Sequence, residues 1–195
     1  KKDLNPTATF KSALEKTTRA LADDSDLKLS ISGSASMLEG GTAKIPQISR
    51  NMTKEEVLLA RGNADAIALK KRFHDSFVHE RYLPKGQLAQ KIYDNLETAR
   101  CEINGSRVLP GTATNLDAKI IEDIKQKNQL ADVDAEDFSI AEAAGYVLRQ
   151  VATDRPLPES ADILTEKWRD FIHSEAEETI FGAASAFQDQ KAFAK

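Results

Sequence analysis

The chain has 195 residues, of which 41% are hydrophobic and 30% charged, values that are ordinary for a globular protein able to bury one sizeable core. Its net charge of −4 argues against a surface built to neutralise nucleic-acid phosphates. No apolar run approaches the roughly 20 residues that span a bilayer, so the composition predicts a soluble single domain over residues 1–195.

The N-terminal region predicts a helix followed by a small β-hairpin. Asn5-Pro6 is typical of an N-cap followed by proline at the first helical position, and the helix should end near residues 23–24. Leu27, Leu29 and Ile31 then alternate with polar residues, which is the pattern of a half-buried strand. Residues 43–48 are its expected partner across a Ser/Gly-rich loop, so we predict a hairpin over residues 27–48.

The rest of the sequence predicts a mainly α, bundle-like domain of about six helices. A capping box formed by Thr53 and Glu56 opens one helix, and Asn104-Gly105 is expected to end the next. The tail over residues 181–195 is expected to extend the last helix or to fray. The helices after the hairpin are predicted over residues 53–72, 86–104, 113–127 and 139–153, and from residue 160 past Trp168.

Polar residues crowd the two helices predicted between residues 60 and 111. A buried charge that is not paired costs several kcal/mol, so such a crowd indicates an ion-pair network or a functional site. Arg61 with Asp65, and Glu97 with Arg100, have spacings that favour pairs within a helix, and antiparallel packing would join all four in one semi-buried network. We expect Glu97→Ala to destabilise the fold by roughly 1–3 kcal/mol if it is buried. The crowd comprises Arg61, Asp65, His74, Asp75, His79, Glu97, Arg100, Glu102 and Arg107.

Three weaker hypotheses concern chemistry or partners. His74-Asp75 with His79 could serve a metal-dependent hydrolase, but a separation of five residues turns the two imidazoles about 140° apart on a helix, so structural roles are favoured. Residues 70–72 (KKR) could contact nucleic acid. Trp168 with Arg169, Arg149 and Arg155 could form a rim for an anionic partner, although a core anchor is the stronger interpretation of Trp168.

The lone Cys101 cannot form an internal disulfide, and no charged-then-apolar signal segment opens the sequence, so we expect a cytoplasmic protein. Because the first residue is Lys1 rather than Met, we expect sequence to be missing at an end. No complete catalytic motif is present, so no residue is assigned a catalytic role and no metal ligand is assigned.

Several separated blocks follow one another along most of residues 10–172. The blocks are residues 60–69 (ARGNADAIAL), His74-Asp75, His79, residues 93–102 (YDNLETARCE), 105–107 (GSR), 111–116 (GTATNL), 147–149 (VLR), Pro156, Ala161 and 164–169 (LTEKWR). Together and in this order they resemble one protein family, the CobT subunit of aerobic cobaltochelatase in its N-terminal region.

The resemblance implies a non-catalytic adaptor or assembly region of an ATP-dependent ligase that inserts cobalt into hydrogenobyrinic acid a,c-diamide in aerobic cobalamin biosynthesis. It implies two partners, an AAA+ ATPase subunit and a large tetrapyrrole-binding subunit, and an oligomeric complex without nucleic acid or membrane. ATP, Mg and cobalt would be used by the complex, with no cofactor bound by this domain. We expect the C-terminal von Willebrand A-type domain of that family to have no counterpart in these residues.

The resemblance gives no catalytic residues for this region. Its matching polar positions are therefore interpreted as a network that holds the helices together and presents a docking surface. These positions are the nine residues of the crowd above together with Asn115, Trp168 and Arg169.

Overall fold

In a computed structural model, which describes residues 6–33, 35–130 and 140–195 and the side chains of these except 128–130, the chain forms eight helices and three short strands. The prediction of a mainly helical fold with a small β element near the N-terminus is confirmed. The elements are α1 (Pro6–Ala22), β1 (Lys28–Gly33), β2 (Met37–Glu39), β3 (Thr42–Pro46), α2 (Lys54–Phe73), α3 (Ser76–Arg81), α4 (Gln87–Val108), α5 (Pro110–Leu130), α6 (Ile140–Thr153), α7 (Glu159–Ala186) and α8 (Gln190–Phe193).

Helix α2 lies at the centre of the fold and packs against α1, α4, α5 and β3. Its start is fixed by the predicted capping box, in which Thr53 Oγ1 accepts from the Glu56 backbone N–H and the Glu56 carboxylate accepts from the Thr53 N–H. One hydrophobic cluster joins α1, the sheet and α2, and a second joins α4, α6 and α7.

The strand pairing differs from the predicted hairpin. Strand β1 pairs with β3 in parallel, and β2 pairs with β3 antiparallel, which gives the order β1-β3-β2. The loop assigned to the hairpin contains β2, and the chain reverses after it at Gly40-Gly41, where both φ angles are positive (53° and 73°). Because this extra strand turns the chain around once more, β3 runs in the same direction as β1.

Several helices differ from the sequence prediction, among them α5, which spans Pro110–Leu130 where residues 113–127 were expected. Gly105 does not end α4, which continues to Val108, because Gly105 packs against the side chain of Leu69 in α2. Helix α3 was not predicted. The tail expected to extend or fray continues α7 to Ala186 and then forms α8, while the predicted start of α6 at Ser139 lies outside the described residues. Within the described ranges, no helix combines the length and apolar character that crossing a membrane requires.

Gly62 sets how closely α2 approaches α5, and its replacement tests this packing. A Cβ at this position would overlap the backbone carbonyl of Asn115, which cannot move without shifting α5. We expect Gly62→Ala to lower the free energy of unfolding by about 1–3 kcal/mol in urea denaturation. Gly182 in α7 has no atom near the corresponding Cβ position, so Gly182→Ala should raise stability by about 0.5–1 kcal/mol. Equal effects of the two changes would contradict this account.

Candidate functional site

Arg100 of α4 is the centre of a buried network. It is 1% exposed, and its guanidinium donates two hydrogen bonds to the Glu97 carboxylate, from Nε (2.7 Å) and from Nη2 (2.9 Å). The same guanidinium donates to the carbonyl of Phe73 at the end of α2 and to the carbonyl of Phe187 after α7 (3.1 Å). One side chain therefore holds the ends of α2 and α7 to the middle of α4.

Glu97 completes its hydrogen bonds with His74, whose Nδ1 donates to the carboxylate at 2.8 Å. Burial alone would raise the pKa of Glu97, but the hydrogen bonds from Arg100 and His74 outweigh it and hold the pKa below its ordinary value. Burial likewise acts to lower the pKa of Arg100, and its hydrogen bonds to Glu97 outweigh this, so the pKa is raised. Both groups are therefore charged at neutral pH, as a satisfied buried ion pair requires.

Gln190 of α8 attaches the C-terminal segment to this network. Its Oε1 accepts from the backbone N–H of Asp75 (2.7 Å) and its Nε2 donates to the backbone carbonyl of Asp75 (2.9 Å). The Asn104 side chain donates to the Phe187 carbonyl at 2.8 Å, beside the bond from Arg100. These bonds join residues 83 to 115 positions apart in the sequence, so the tail is an integral part of the fold.

The side chains of the proposed metal cluster have separate partners. His74 bonds to Glu97, His79 Nε2 donates to Asp94 (2.8 Å), and Asp75 caps α3 by accepting from two backbone N–H groups. The two imidazoles meet edge to face at 4.9 Å, and His79 Nδ1 is buried with no partner among the described residues. In the part of the chain that the structure describes, no three His, Cys, Asp or Glu side chains are placed to hold a metal ion.

Arg61 and Asp65 do not join Glu97 and Arg100, so the prediction of one four-residue network is wrong. Asp65 is turned toward α5, where Asn115 Nδ2 donates to its carboxylate at 2.7 Å. Burial raises the pKa of Asp65 to about 6, although the bond from Asn115 and the nearby charge of Arg61 act to lower it. The separation follows from helix geometry, because Asp65 lies on the face of α2 that packs against α5.

The other predicted positions lie outside the Arg100 network. Glu102 forms an ion pair with Arg149 of α6, and Arg107 lies over the Phe187 ring at 4.8 Å from its centroid. Trp168 is half-buried and packs on the α4–α6–α7 cluster. Arg169 pairs with Asp162 (2.6 Å) and Glu166 on its own helix. The arginines of the predicted anion rim are thus paired, since Arg155 also pairs with Asp117 (2.9 Å).

A trough of about 720 Å³ lies beside the network. Its floor is one face of α2, its walls are residues 35–38 and helix α5, and α4 forms its end. Lys70 and Lys71 both line the trough, and Lys71 also pairs with Asp24 (3.0 Å). Arg72 donates to the Leu21 carbonyl (3.3 Å). Two of the three basic residues predicted as a nucleic-acid patch therefore have partners within the fold.

Asn63 and Gln190 are the residues that the sequence analysis missed. Asn63 is 4% exposed and lines the trough. It stands on α2 in a stripe with Ile67, Lys70 and His74, at i, i+4, i+7 and i+11, a spacing that sequence inspection could have found. Gln190 carried no such signal, because its partners are the backbone of Asp75 and a side chain on α4.

Comparison with known proteins gives one family match. The family model described as "Cobalamin biosynthesis protein CobT" matches residues 4–195, nearly the whole chain. No solved structure matches the chain.

We predict that Glu97→Ala lowers the free energy of unfolding by about 3–5 kcal/mol, because it leaves the guanidinium of Arg100 buried without its carboxylate. This predicted loss of stability is larger than the loss of roughly 1–3 kcal/mol expected from the sequence alone. The measurement is urea denaturation at pH 7. Glu166→Ala breaks a surface pair with the same i, i+3 spacing and should cost under about 1 kcal/mol. Similar losses from both changes would contradict the central role of the buried pair.

We also predict a distinct pH dependence for Asp65. Its folded-state pKa of about 6 lies above the ordinary 3.8, so the folded state binds the proton more tightly and the associated stability is lost as pH rises through about 6. Relative to wild type, Asp65→Asn should therefore gain stability between pH 4 and 7, by up to about 3 kcal/mol. Thermal melts of both proteins across this range provide the test, and parallel curves would refute the prediction.

Proposed function

The chain belongs to the CobT family of cobalamin biosynthesis proteins, and from this we propose that it is the non-catalytic adaptor region of an ATP-dependent cobaltochelatase. Family membership gives it a role in cobalamin biosynthesis as part of cobaltochelatase. In the proposal, this region transmits the work of an ATPase to the subunit that holds the tetrapyrrole. Cobalt is then the substrate of the assembled enzyme, and hydrogenobyrinic acid a,c-diamide is the acceptor.

The observation that carries the proposal is that the polar motif residues hold the helices to one another. Arg100 and Glu97 are 1% and 3% exposed, and they bind each other, His74 and the backbone carbonyls of Phe73 and Phe187 rather than facing an open cleft. A catalytic acid or base must reach a substrate, whereas a network of this kind makes a rigid body. Rigidity is what a component that relays force between subunits needs.

The proposed partners are an AAA+ ATPase subunit and a large tetrapyrrole-binding subunit in an oligomeric cytoplasmic complex. ATP and Mg belong in this scheme to the ATPase, and this domain binds no cofactor of its own. Its surface carries several exposed apolar residues suited to protein contacts, among them Phe77, Leu88, Val108 and Phe181, each more than half exposed. The net charge of −4 favours protein partners over nucleic acid.

Light scattering of the 195-residue chain mixed with the AAA+ subunit tests the proposal. We expect a complex of higher mass than either component, and we expect it to depend on ATP because the ring of an AAA+ ATPase changes shape with its nucleotide. The large subunit should be tested in the same way. Glu166→Ala changes a surface residue and leaves the buried network intact, so this variant should bind as wild type does.

Failure of the wild-type chain to bind either subunit, with or without ATP, would contradict the adaptor proposal. Cobalt insertion by the other two subunits at full rate without this protein would contradict it as well. Binding that persists after the buried network is broken would instead show that the rigid body is not required for docking.

A further inference from the structure

The trough has an unpaired strand edge along one wall. Strand β2 lies at the edge of the sheet, with β3 as its only strand neighbour among the described residues. Met37 and Leu38 point to opposite faces of β2, yet both line the trough, so the trough follows the edge of the strand rather than one of its faces. Both side chains are nearly half exposed. An edge with free N–H and C=O groups is a template for another extended segment.

Asn63 places a carboxamide on the floor of the trough, and a carboxamide can form the same hydrogen bonds as a backbone peptide unit. Its side chain forms no hydrogen bond within the described part of the chain, although the residue is 4% exposed. Because Asn63 lines the trough, its carboxamide oxygen and N–H groups are available to a peptide unit that enters the trough. Gln190 shows what such a group does in this protein, since its carboxamide pairs with both the N–H and the carbonyl of Asp75.

The charged residues that line the trough indicate the chemistry of the segment that binds there. The lining also contains three carboxylates, and each has a cationic partner: Glu102 pairs with Arg149, Glu122 with Lys125 and Asp123 with Lys119. Lys71 pairs with Asp24. Lys70 is exposed, borders the trough and has no ion pair within the described residues, so it contributes an unpaired positive charge to the trough. His74 lies four residues beyond Lys70 on the same stripe and also borders the trough. Between them and the edge of β2, the lining is aliphatic at Leu59 and Ile67. An acidic side chain flanked by apolar ones complements this surface.

We propose that the trough binds an extended segment of a partner subunit, with an acidic side chain between apolar ones. The segment adds to the free edge of β2, and Asn63 pairs with one of its peptide units. Its carboxylate meets Lys70, and its apolar side chains pack on Leu38 and Ile67. This inference rests on the proposed function, because the partner is one of the other subunits of the cobaltochelatase.

The test measures binding of the 195-residue chain to each purified partner subunit by biolayer interferometry. Leu38→Lys, Lys70→Glu and Asn63→Ala should each raise the dissociation constant for one of the two subunits by about tenfold or more. Lys70→Arg keeps the charge and should bind within about threefold of wild type. Two matched controls away from the trough, Ile163→Lys and Lys91→Glu, should also bind as wild type does.

The outcomes separate the two proposals. If wild type and all the trough variants bind equally well, the trough is not the docking site, while the adaptor function stands. If wild type binds neither subunit, both proposals fail. If the chain alone forms a dimer that Leu38→Lys abolishes, the occupant is a second copy and the assignment to a partner subunit is wrong.

The melting temperature of the free chain is a second measurement, because it would fall on substitution of Asn63 if this residue had a structural role. Because its carboxamide has no partner within the described residues, Asn63→Ala should leave the melting temperature unchanged or raise it while weakening binding. A large drop in melting temperature would show that Asn63 holds the fold together and would overturn its assignment to ligand binding.

Discussion

The fold depends on the burial of one guanidinium. Arg100 is almost completely removed from water, so each of its N–H groups needs an acceptor within the protein. A carboxylate three residues earlier in α4 supplies charge, and carbonyls at the ends of α2 and α7 supply the remaining acceptors. Those helix ends must therefore meet at one point. The relative positions of α2, α4 and the C-terminal segment follow from this requirement more than from hydrophobic packing, which is less directional.

Small residues allow the close approaches that the network needs. Gly62 lets the α5 backbone lie against α2, and Gly105 lets Leu69 of α2 fit against α4. The central helix α2 then has one face on α5, one on α4 and one on the sheet, and the stripe from Asn63 to His74 remains as the floor of the trough. His74 belongs to both features, because its ring borders the trough and its Nδ1 binds Glu97. The rigid body and the proposed docking surface are thus physically continuous.

The sequence predicted what depends on local pattern. The helical fold and the capping box at Thr53 were predictable because apolar periodicity and cap chemistry act over a few residues. The Glu97–Arg100 pair was predictable for the same reason. What failed depends on distant contacts. Gly105 was expected to end α4. Its actual role is to pack against Leu69, and this contact was not visible in the local sequence because Leu69 lies on another helix. The tail was expected to extend the last helix or to fray, and it does extend α7 to Ala186. The bond between Gln190 and Asp75 that fixes its end was not predictable, because these residues are 115 positions apart in the sequence. The parallel pairing of β1 with β3 required β2, which is only three residues long and lay within a Ser/Gly-rich loop.

Hydrogen exchange in Gln190→Ala tests most directly whether the Arg100 network unites these helix ends. The account predicts faster exchange together at the α8 amides, such as that of Phe193, and at the α3 amides that follow Asp75, since Gln190 binds both Asp75 and Arg100. The amides of α6, whose packing on α4 does not involve Gln190, should exchange as in wild type. Faster exchange confined to α8, with α3 unchanged, would show that the tail is attached independently and would contradict the account.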